Sequence, residues 1–230
     1  MSIIQDLFHK VPEGDKKEAV EKLIEYSYPN ADFYLMVVLS VAMATLGLLL
    51  DNSSVVIGSM LIAPVLYPVL STSMGIVMNN GVVLNKSGLT LVKAVVVALI
   101  TSFITTILFG DLSDVMSSQE IISRTGPSLL HAGVATVAGF AASFALIKPK
   151  LSEILPGIAI SVALVPPLAV TGIGIAIFNP TLIKGSFLLF LVNAVGIIFM
   201  SMLVFSLMNL YTKRGTAERA VHEEDKKNSK

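Results

Sequence analysis

The sequence predicts an all-α polytopic membrane protein with six transmembrane segments, built as two three-helix inverted repeats whose second helices are broken by proline. Three observations predict this fold class. Of the 230 residues, 54% are hydrophobic and 14% charged, whereas about a quarter of the residues in a soluble domain are charged. Only eleven of the 32 charged residues lie between Phe33 and Thr212. Glycine, proline and asparagine also recur in register when the chain is shifted by 99 residues.

Residues 1–32 form a polar lead-in that we place in the cytosol or at the membrane interface. Within it, Ala19, Val20, Leu23 and Ile24 lie at helical spacing among charged residues, which is typical of an amphipathic helix. Such a helix lies on the membrane surface, packs on the ends of the spans, or is a solvated lead-in. Its acidic excess argues against binding to anionic lipids.

Six apolar segments follow, each near the length of about 20 residues that crosses a bilayer. Their predicted bounds are 33–50, 54–78, 88–109, 128–147, 154–178 and 185–211. They divide the chain into a first membrane repeat at 33–110, an extracytoplasmic loop at 111–127, a second membrane repeat at 128–212 and a charged cytosolic tail at 213–230. Because the tail is poor in large apolar side chains, we expect it to be mobile and solvated.

The basic residues between the segments predict the orientation. If the N-terminus is cytosolic, the inner side carries Lys86, Lys148, Lys150, Lys213, Arg214 and Arg219. The outer side then carries only Arg124 and Lys184, and this bias follows the positive-inside rule. Six crossings return the C-terminus to the cytosol.

The internal repeat follows the pattern G-x9-P-x6-G-x4-N. Gly58, Pro68, Gly75 and Asn80 coincide with glycine, proline, glycine and asparagine at 157, 167, 174 and 179. Each half contributes three crossings, so the second half enters the membrane upside down relative to the first. Inverted repeats of this kind are common in transporters, in which discontinuous helices meet near the bilayer midplane.

Prolines interrupt the second segment of each half. Pro64 and Pro68 remove amide donors, which leaves carbonyl groups unpaired near Met60 and Pro64. An unpaired carbonyl in hydrocarbon costs several kcal/mol unless it is buried in protein or faces a water-filled cavity. The alternatives are that the prolines only bend the helices for packing, or that each segment is re-entrant.

We therefore predict a path for a solute or ion where residues 59–73 approach residues 157–172. The predicted path residues are Ser59, Pro64, Pro68, Ser71, Thr72, Ser73, Gly157, Ser161, Pro166, Pro167, Thr171 and Asn193. Asn193 lies deep in the sixth segment, where it either lines the path or joins helices by a hydrogen bond.

The sequence argues against catalysis and against bound cofactors. It has no cysteine, and its histidines at positions 9, 131 and 222 are too scattered to form a metal cluster. It has no nucleophile elbow, no phosphate-binding glycine loop and no basic aromatic patch for nucleic acid. The expected partners are the lipid bilayer, a small solute or ion, and further copies of the chain.

Two stretches carry a resemblance to a known family: "DNSSVVIGSMLIAPVLYPVLSTSMGIV" and, about a hundred residues later, "LPGIAISVALVPPLAVTGIG". They resemble the prokaryotic membrane family known as domain of unknown function 389, over residues 30 to 210. The resemblance implies a bacterial or archaeal cytoplasmic membrane, and it supplies no substrate.

We expect an integral membrane transport protein. The inverted repeat favours a carrier, whereas the lack of a carboxylate inside any segment favours passive conduction through a channel. The alternative is a non-transporting membrane scaffold or sensor whose charged ends bind a cytosolic partner.

Overall fold

The computed structural model describes residues 11–110, 115–148, 151 and 164–228, and this part of the chain forms helices and no strand. The α-helices are α1 Glu13–Ser27, α2 Ala31–Leu49, α3 Ser53–Ile62, α4 Leu66–Val77, α5 Gly81–Phe109, α6 Gln119–Ile122, α7 Leu129–Ile147, α8 Val165–Ala176, α9 Pro180–Leu207 and α10 Arg214–Asn228. Short 3₁₀ turns occur at Val115–Ser117 and Leu210–Lys213. The predicted segment at 154–178 lies partly outside the described residues.

The described residues contain four helices that are long and apolar enough to cross a membrane, namely α2, α5, α7 and α9. Helices α3 and α4 qualify as a fifth span if they are taken together, bent by 50° at the break between them. The longest helices turn large apolar side chains outward, such as Val96 on α5 and Phe199 on α9, which are 49% and 59% exposed. An outer surface of this kind fits hydrocarbon better than water, so the chain is a polytopic membrane protein.

Helices α5 and α9 begin earlier than the sequence predicts, at residues 81 and 180 rather than 88 and 185. Asparagine explains both starts. The side-chain oxygen of Asn80 accepts the amides of the second and third residues after it at 3.1 and 3.2 Å. Asn179 does the same at 3.0 and 3.2 Å. These N-caps satisfy amides that have no partner inside the helix.

The same tight reversal occurs between α2 and α3, between α4 and α5, and between α8 and α9. In each reversal a residue with positive φ precedes the capping asparagine: Asp51 at 51°, Asn79 at 47° and Phe178 at 53°. The amide of that asparagine donates to the carbonyl of the glycine five residues earlier, at 2.9 Å in all three turns. This is the hydrogen bond of a Schellman motif, which ends one helix immediately before the next begins.

The α4–α5 unit and the α8–α9 unit match at a spacing of 99 residues. Helices α4 and α8 both have 12 residues and start at 66 and 165. Their last turns hold Gly75 and Gly174, against which the following helix packs closely. A Cβ at Gly75 would lie 2.8 Å from the Leu84 nitrogen, and one at Gly174 would lie 3.0 Å from the Leu182 Cβ. The repeat in the sequence therefore corresponds to a repeat in local structure.

One end of the bundle, which we call the Asp51 end, contains the α2–α3 turn, the 115–127 segment and the start of α9. The Ser118 hydroxyl donates to the Asp51 carboxylate at 2.9 Å. Gly185, in the second turn of α9, lies so close to the 115–127 segment that a Cβ would overlap the Thr125 carbonyl oxygen.

The other end, which we call the Asp225 end, contains α1, the start of α5 and α10. The Tyr28 hydroxyl donates to Asp225 Oδ1 at 2.6 Å, and Lys86 forms an ion pair with the same carboxylate. The Asn80 side-chain amide donates to Glu218 of α10 at 3.3 Å.

Two terminal helices cover the Asp225 end. As the spacing predicts, α1 buries Ala19, Val20, Leu23 and Ile24, and it packs on α4, α7 and α10. The expectation of a mobile, solvated tail is wrong for residues 214–228, because α10 is a helix with a buried face that packs against α1.

Candidate functional site

The first broken segment separates at Ala63, Pro64 and Val65, between α3 and α4. Ala63 has extended backbone angles, φ −71° and ψ 121°, as the residue before a proline prefers. The Tyr67 amide donates to the Pro64 carbonyl at 3.2 Å. The expectation that Pro68 leaves this carbonyl unpaired is therefore wrong, because the start of α4 turns tightly enough to supply another donor.

A neighbouring helix supports the last turn of α3. The Ser40 hydroxyl, on α2, donates to the Ser59 carbonyl at 2.7 Å. The Ser59 hydroxyl itself donates to Val56 in its own helix at 2.6 Å. Since both hydroxyls are buried, the end of α3 is held by hydrogen bonds within the protein.

In the second segment that the sequence predicts to be broken, Pro166 and Pro167 lie in the first turn of α8, where both are buried. Proline is well tolerated there because first-turn amides have no partner inside the helix. Gly157 and Ser161 lie outside the described residues, so the half of the predicted path that precedes α8 has no structural description.

The hydroxyl groups of the two segments are arranged alike. Thr72 donates to the carbonyl of Pro68 at 2.8 Å, and Thr171 donates to that of Pro167 at 2.7 Å. The Ser73 hydroxyl makes the same kind of bond, to Val69 at 3.1 Å. Each of these bonds reaches back four residues within the helix.

Each threonine also meets a serine of the next helix. Thr72 Oγ1 lies 3.2 Å from Ser87 Oγ on α5, and Thr171 Oγ1 lies 2.8 Å from Ser186 Oγ on α9. Sequence reasoning missed Ser87 and Ser186. The signal was available, since the two serines are themselves 99 residues apart.

Helices α4 and α8 share neighbouring helices but make few contacts with each other. Helices α4 and α8 both pack on α5 and α9. Within the first broken segment, α3 is the helix that contacts α8, and it carries Ser59. Ser71, Thr72 and Ser73 lie on α4, which packs against α1, α5 and α9. Asn193 is buried in α9, which packs on both α4 and α8.

Helix α5 approaches α8 closely at Gly172. A Cβ there would overlap the Ser102 side chain, and the Ser102 hydroxyl donates to the Ala169 carbonyl at 2.7 Å. A helix of the first half thus donates a hydrogen bond to the main chain of α8.

A small cavity lies where α4 meets the Asp225 end. Its volume is about 20 Å³, which is enough for one water molecule. Its wall consists of Ile24, Ser27, Tyr28, Pro29, Ser71, Val83, Lys86, Ser87 and Val221. The predicted path residue Ser71 therefore borders a small cavity whose wall includes Tyr28 and Lys86.

Charge around this cavity is balanced by close partners. Hydrogen bonds from Lys86 and from Tyr28 lower the pKa of Asp225. Burial, followed by the hydrogen bond to Asp225, raises the pKa of Tyr28 to about 12. At neutral pH the cluster therefore holds an ionised carboxylate between a cation and a neutral phenol.

These features define the class of protein to which the chain belongs. The described residues form a helical membrane protein with one span broken at proline and a reversal turn repeated between its helices.

The chain belongs to the family described as a domain of unknown function, number 389, whose profile matches residues 60–199. The chain is 29% identical over 206 residues to an uncharacterised protein of Methanocaldococcus jannaschii. That alignment covers 85% of this chain and 63% of the relative, so the chain spans less than two thirds of the relative's length. No solved structure matches the chain.

Proposed function

We propose that the chain is a membrane transport protein of six crossings, built as two inverted repeats around a path for an ion or small solute. The observation that carries the proposal is the opposed direction of α4 and α8. The α4–α5 turn lies at the Asp225 end, where Asn80 binds Glu218. The α8–α9 turn lies nearer the Asp51 end, where Gly185 abuts Thr125. Two matching units that run in opposite directions are the signature of inverted transporters.

The same contacts support a full crossing by the first broken segment. It begins at Ser53, whose hydroxyl bonds Glu120 at the Asp51 end. It finishes at Val77, three residues before the Asn80 that binds α10 at the Asp225 end. A re-entrant segment would return to the end at which it started.

The proposed path is polar without charge. Ser71, Thr72, Ser73 and Thr171 supply hydroxyl oxygens along α4 and α8. Thr72 and Thr171 donate their protons to helix carbonyls, which leaves oxygen lone pairs available. Such surroundings suit an ion that sheds water or a small neutral or zwitterionic solute. Carrier and channel forms both fit, and we propose neither a catalytic step nor a bound cofactor.

We place the protein in the cytoplasmic membrane of a prokaryote with both ends of the chain in the cytosol, as a homo-oligomer. The charge bias supports this orientation, since Lys86, Lys213 and Arg214 lie at the Asp225 end. The scaffold alternative is favoured by the exposed charged face of α10, which includes Arg219, Glu223 and Lys226.

The test is flux through proteoliposomes. Purified protein is reconstituted, and uptake of radioactive sodium, radioactive rubidium and labelled glycine is measured. We expect wild-type uptake of at least one probe above that of empty vesicles, and its loss when Pro68→Ala is combined with Pro167→Ala. The matched control is Pro180→Ala at the first position of α9. Unchanged flux in the double variant, with normal insertion, would contradict the proposal.

A further inference from the structure

We propose that α1 and α10 together form a gate over the Ser71 cavity, and that the cluster of Tyr28, Lys86 and Asp225 is its latch. The inference rests on the proposed function, because the cavity is assigned to the solute path. It adds to the proposed function the place, and the residues, that would control entry of the solute into the path.

The latch joins three separate parts of the chain. Tyr28 follows α1, Lys86 lies in α5 and Asp225 lies in α10. The Tyr28 hydroxyl and the Lys86 ammonium bind the same carboxylate, and Lys86 Nζ lies 5.5 Å from the centre of the Tyr28 ring. Removal of the Asp225 charge therefore weakens two contacts of α10 at the same time, the one with Tyr28 after α1 and the one with Lys86 of α5.

The latch lies directly over polar groups of the broken segment. Tyr28 and Lys86 are part of the cavity wall, and so are Ser71 of α4 and Ser87 of α5. Ser87 is also the partner of Thr72. Displacement of the latch would widen this water-sized space and admit more water to the Thr72–Ser87 pair.

A second contact couples the gate to the break itself. The rings of Tyr26 on α1 and Tyr67 on α4 stack with centres 4.9 Å apart. Tyr67 stands between Pro64 and Pro68, at the start of α4. Movement of α1 therefore removes a contact from the bent part of the span.

The latch is suited to opening and closing. The side chains of Lys86 and Asp225 are 36% and 41% exposed. Half-exposed ion pairs are weak because water competes for both partners. A second ion pair, between Lys213 and Glu13 at 2.6 Å, also has an exposed partner, since the Glu13 side chain is 65% exposed.

The experiment uses the absence of cysteine from the chain. Ser71→Cys is introduced alone, and its labelling rate with a membrane-impermeant maleimide is measured in vesicles that expose the Asp225 end. Addition of Asp225→Asn should raise the rate by about tenfold, as expected when an ion pair and its hydrogen bond are lost together. Tyr28→Phe should give a smaller increase. The matched control is Glu223→Gln on the exposed face of α10.

Closure is tested in the same vesicles by flux. Tyr28→Cys and Asp225→Cys are joined by a bifunctional methanethiosulfonate, which dithiothreitol removes. We expect uptake of the transported probe to stop on bridging and to return on reduction. A labelling rate of Ser71→Cys that changes less than twofold in Asp225→Asn would overturn the gate, provided that circular dichroism shows an intact fold.

The two proposals fail in different ways. If labelling responds to the latch but no probe crosses the membrane, the transport proposal is overturned and the hinged cover over the cavity stands. If a probe crosses and neither labelling nor bridging has an effect, the gate is overturned and transport stands.

Discussion

The α4–α5 unit and the α8–α9 unit share their reversal turns and threonine–serine pairs, but they are closed in different ways. Beside the first turn lie α1 and α10, and the half-exposed side chains of Lys86 and Asp225 tie α10 to α5. Near the second lies the 115–127 segment, in which the Thr125 main chain rests against Gly185. Side-chain ion pairs separate and reform readily, whereas a main-chain contact at glycine separates only if a whole segment moves.

The Asp51 end is also tied by hydrogen bonds that involve the main chain. The Ser118 hydroxyl lies 2.9 Å from both the Leu48 carbonyl oxygen and the Asp51 carboxylate, and the Glu120 amide donates to Asp51 at 2.8 Å. The side chains of Arg124 and Glu120 pair at 2.6 Å, and each is 18% exposed. Under the proposed gate, the Asp225 end is therefore the end that opens, and the Asp51 end stays closed.

The largest expected effect comes from the shared turns. Gly75→Val and Gly174→Val should each destabilise the fold by about 1–3 kcal/mol, because added side-chain atoms meet the next helix. The effect should be greater at Gly75, where the Cβ meets a main-chain nitrogen at 2.8 Å. Thermal unfolding in detergent, followed by circular dichroism, measures both. The control is Gly81→Ala, where a Cβ meets nothing within 4 Å. Equal stability of Gly75→Val and the control would refute the account of the turn.

The second prediction addresses the seal at the Asp51 end. Gly185→Ala should destabilise that end by about 1 kcal/mol or more, since the Thr125 carbonyl must move away. Limited proteolysis of the 115–127 segment should become faster. Gly126→Ala, in the same segment but with open space around it, should leave the cleavage rate unchanged. Equal cleavage rates in Gly185→Ala and Gly126→Ala would contradict the proposed difference between the Asp51 end and the Asp225 end.

The third prediction compares the residues with positive φ in the two turns. Phe178→Gly should stabilise the protein by about 1 kcal/mol, because a bulky side chain in the left-handed region is strained. Asn79→Gly should have a smaller effect, since asparagine tolerates that conformation. Both residues are exposed, so little packing is lost. A shift in unfolding temperature that is larger for Asn79→Gly would contradict the comparison.

The smallest effect concerns pH at the latch. The pKa of Tyr28 is raised from 10.0 to about 12 in the folded protein. The stabilisation from its protonated form is therefore complete below about pH 10 and is lost as the pH rises towards 12. Tyrosinate absorbance of the wild type minus that of Tyr28→Phe isolates this group. A difference step centred near pH 10 would show that the Tyr28–Asp225 bond is absent in solution.

The repeat was predictable because its marker residues each have a positional role. Glycine permits close helix contact, asparagine caps, and proline starts or breaks a helix, so Gly75, Asn80 and Pro68 carry more information than the apolar residues between them. The pairing of Ser87 with Thr72 depends on how α5 packs on α4, which no local pattern contains.

Tertiary packing also explains the missed tail helix. Ala217, Ala220 and Val221 have helical spacing, but they stand among charged residues that favour solvent. Their helix is stabilised by α1, which lies almost 200 residues away in the chain; the Tyr28–Asp225 bond spans 197 residues. Composition alone could not indicate that contact.

The central claim is that two matching units cross the membrane in opposite directions. Asn79→Cys and Phe178→Cys test it most directly, since the two exposed positions occupy equivalent places in the turns, 99 residues apart. Each variant is labelled with an impermeant maleimide in right-side-out and in inside-out vesicles. The account predicts that Asn79→Cys reacts only in inside-out vesicles and Phe178→Cys only in right-side-out vesicles. Reaction of both positions from the same side would contradict it.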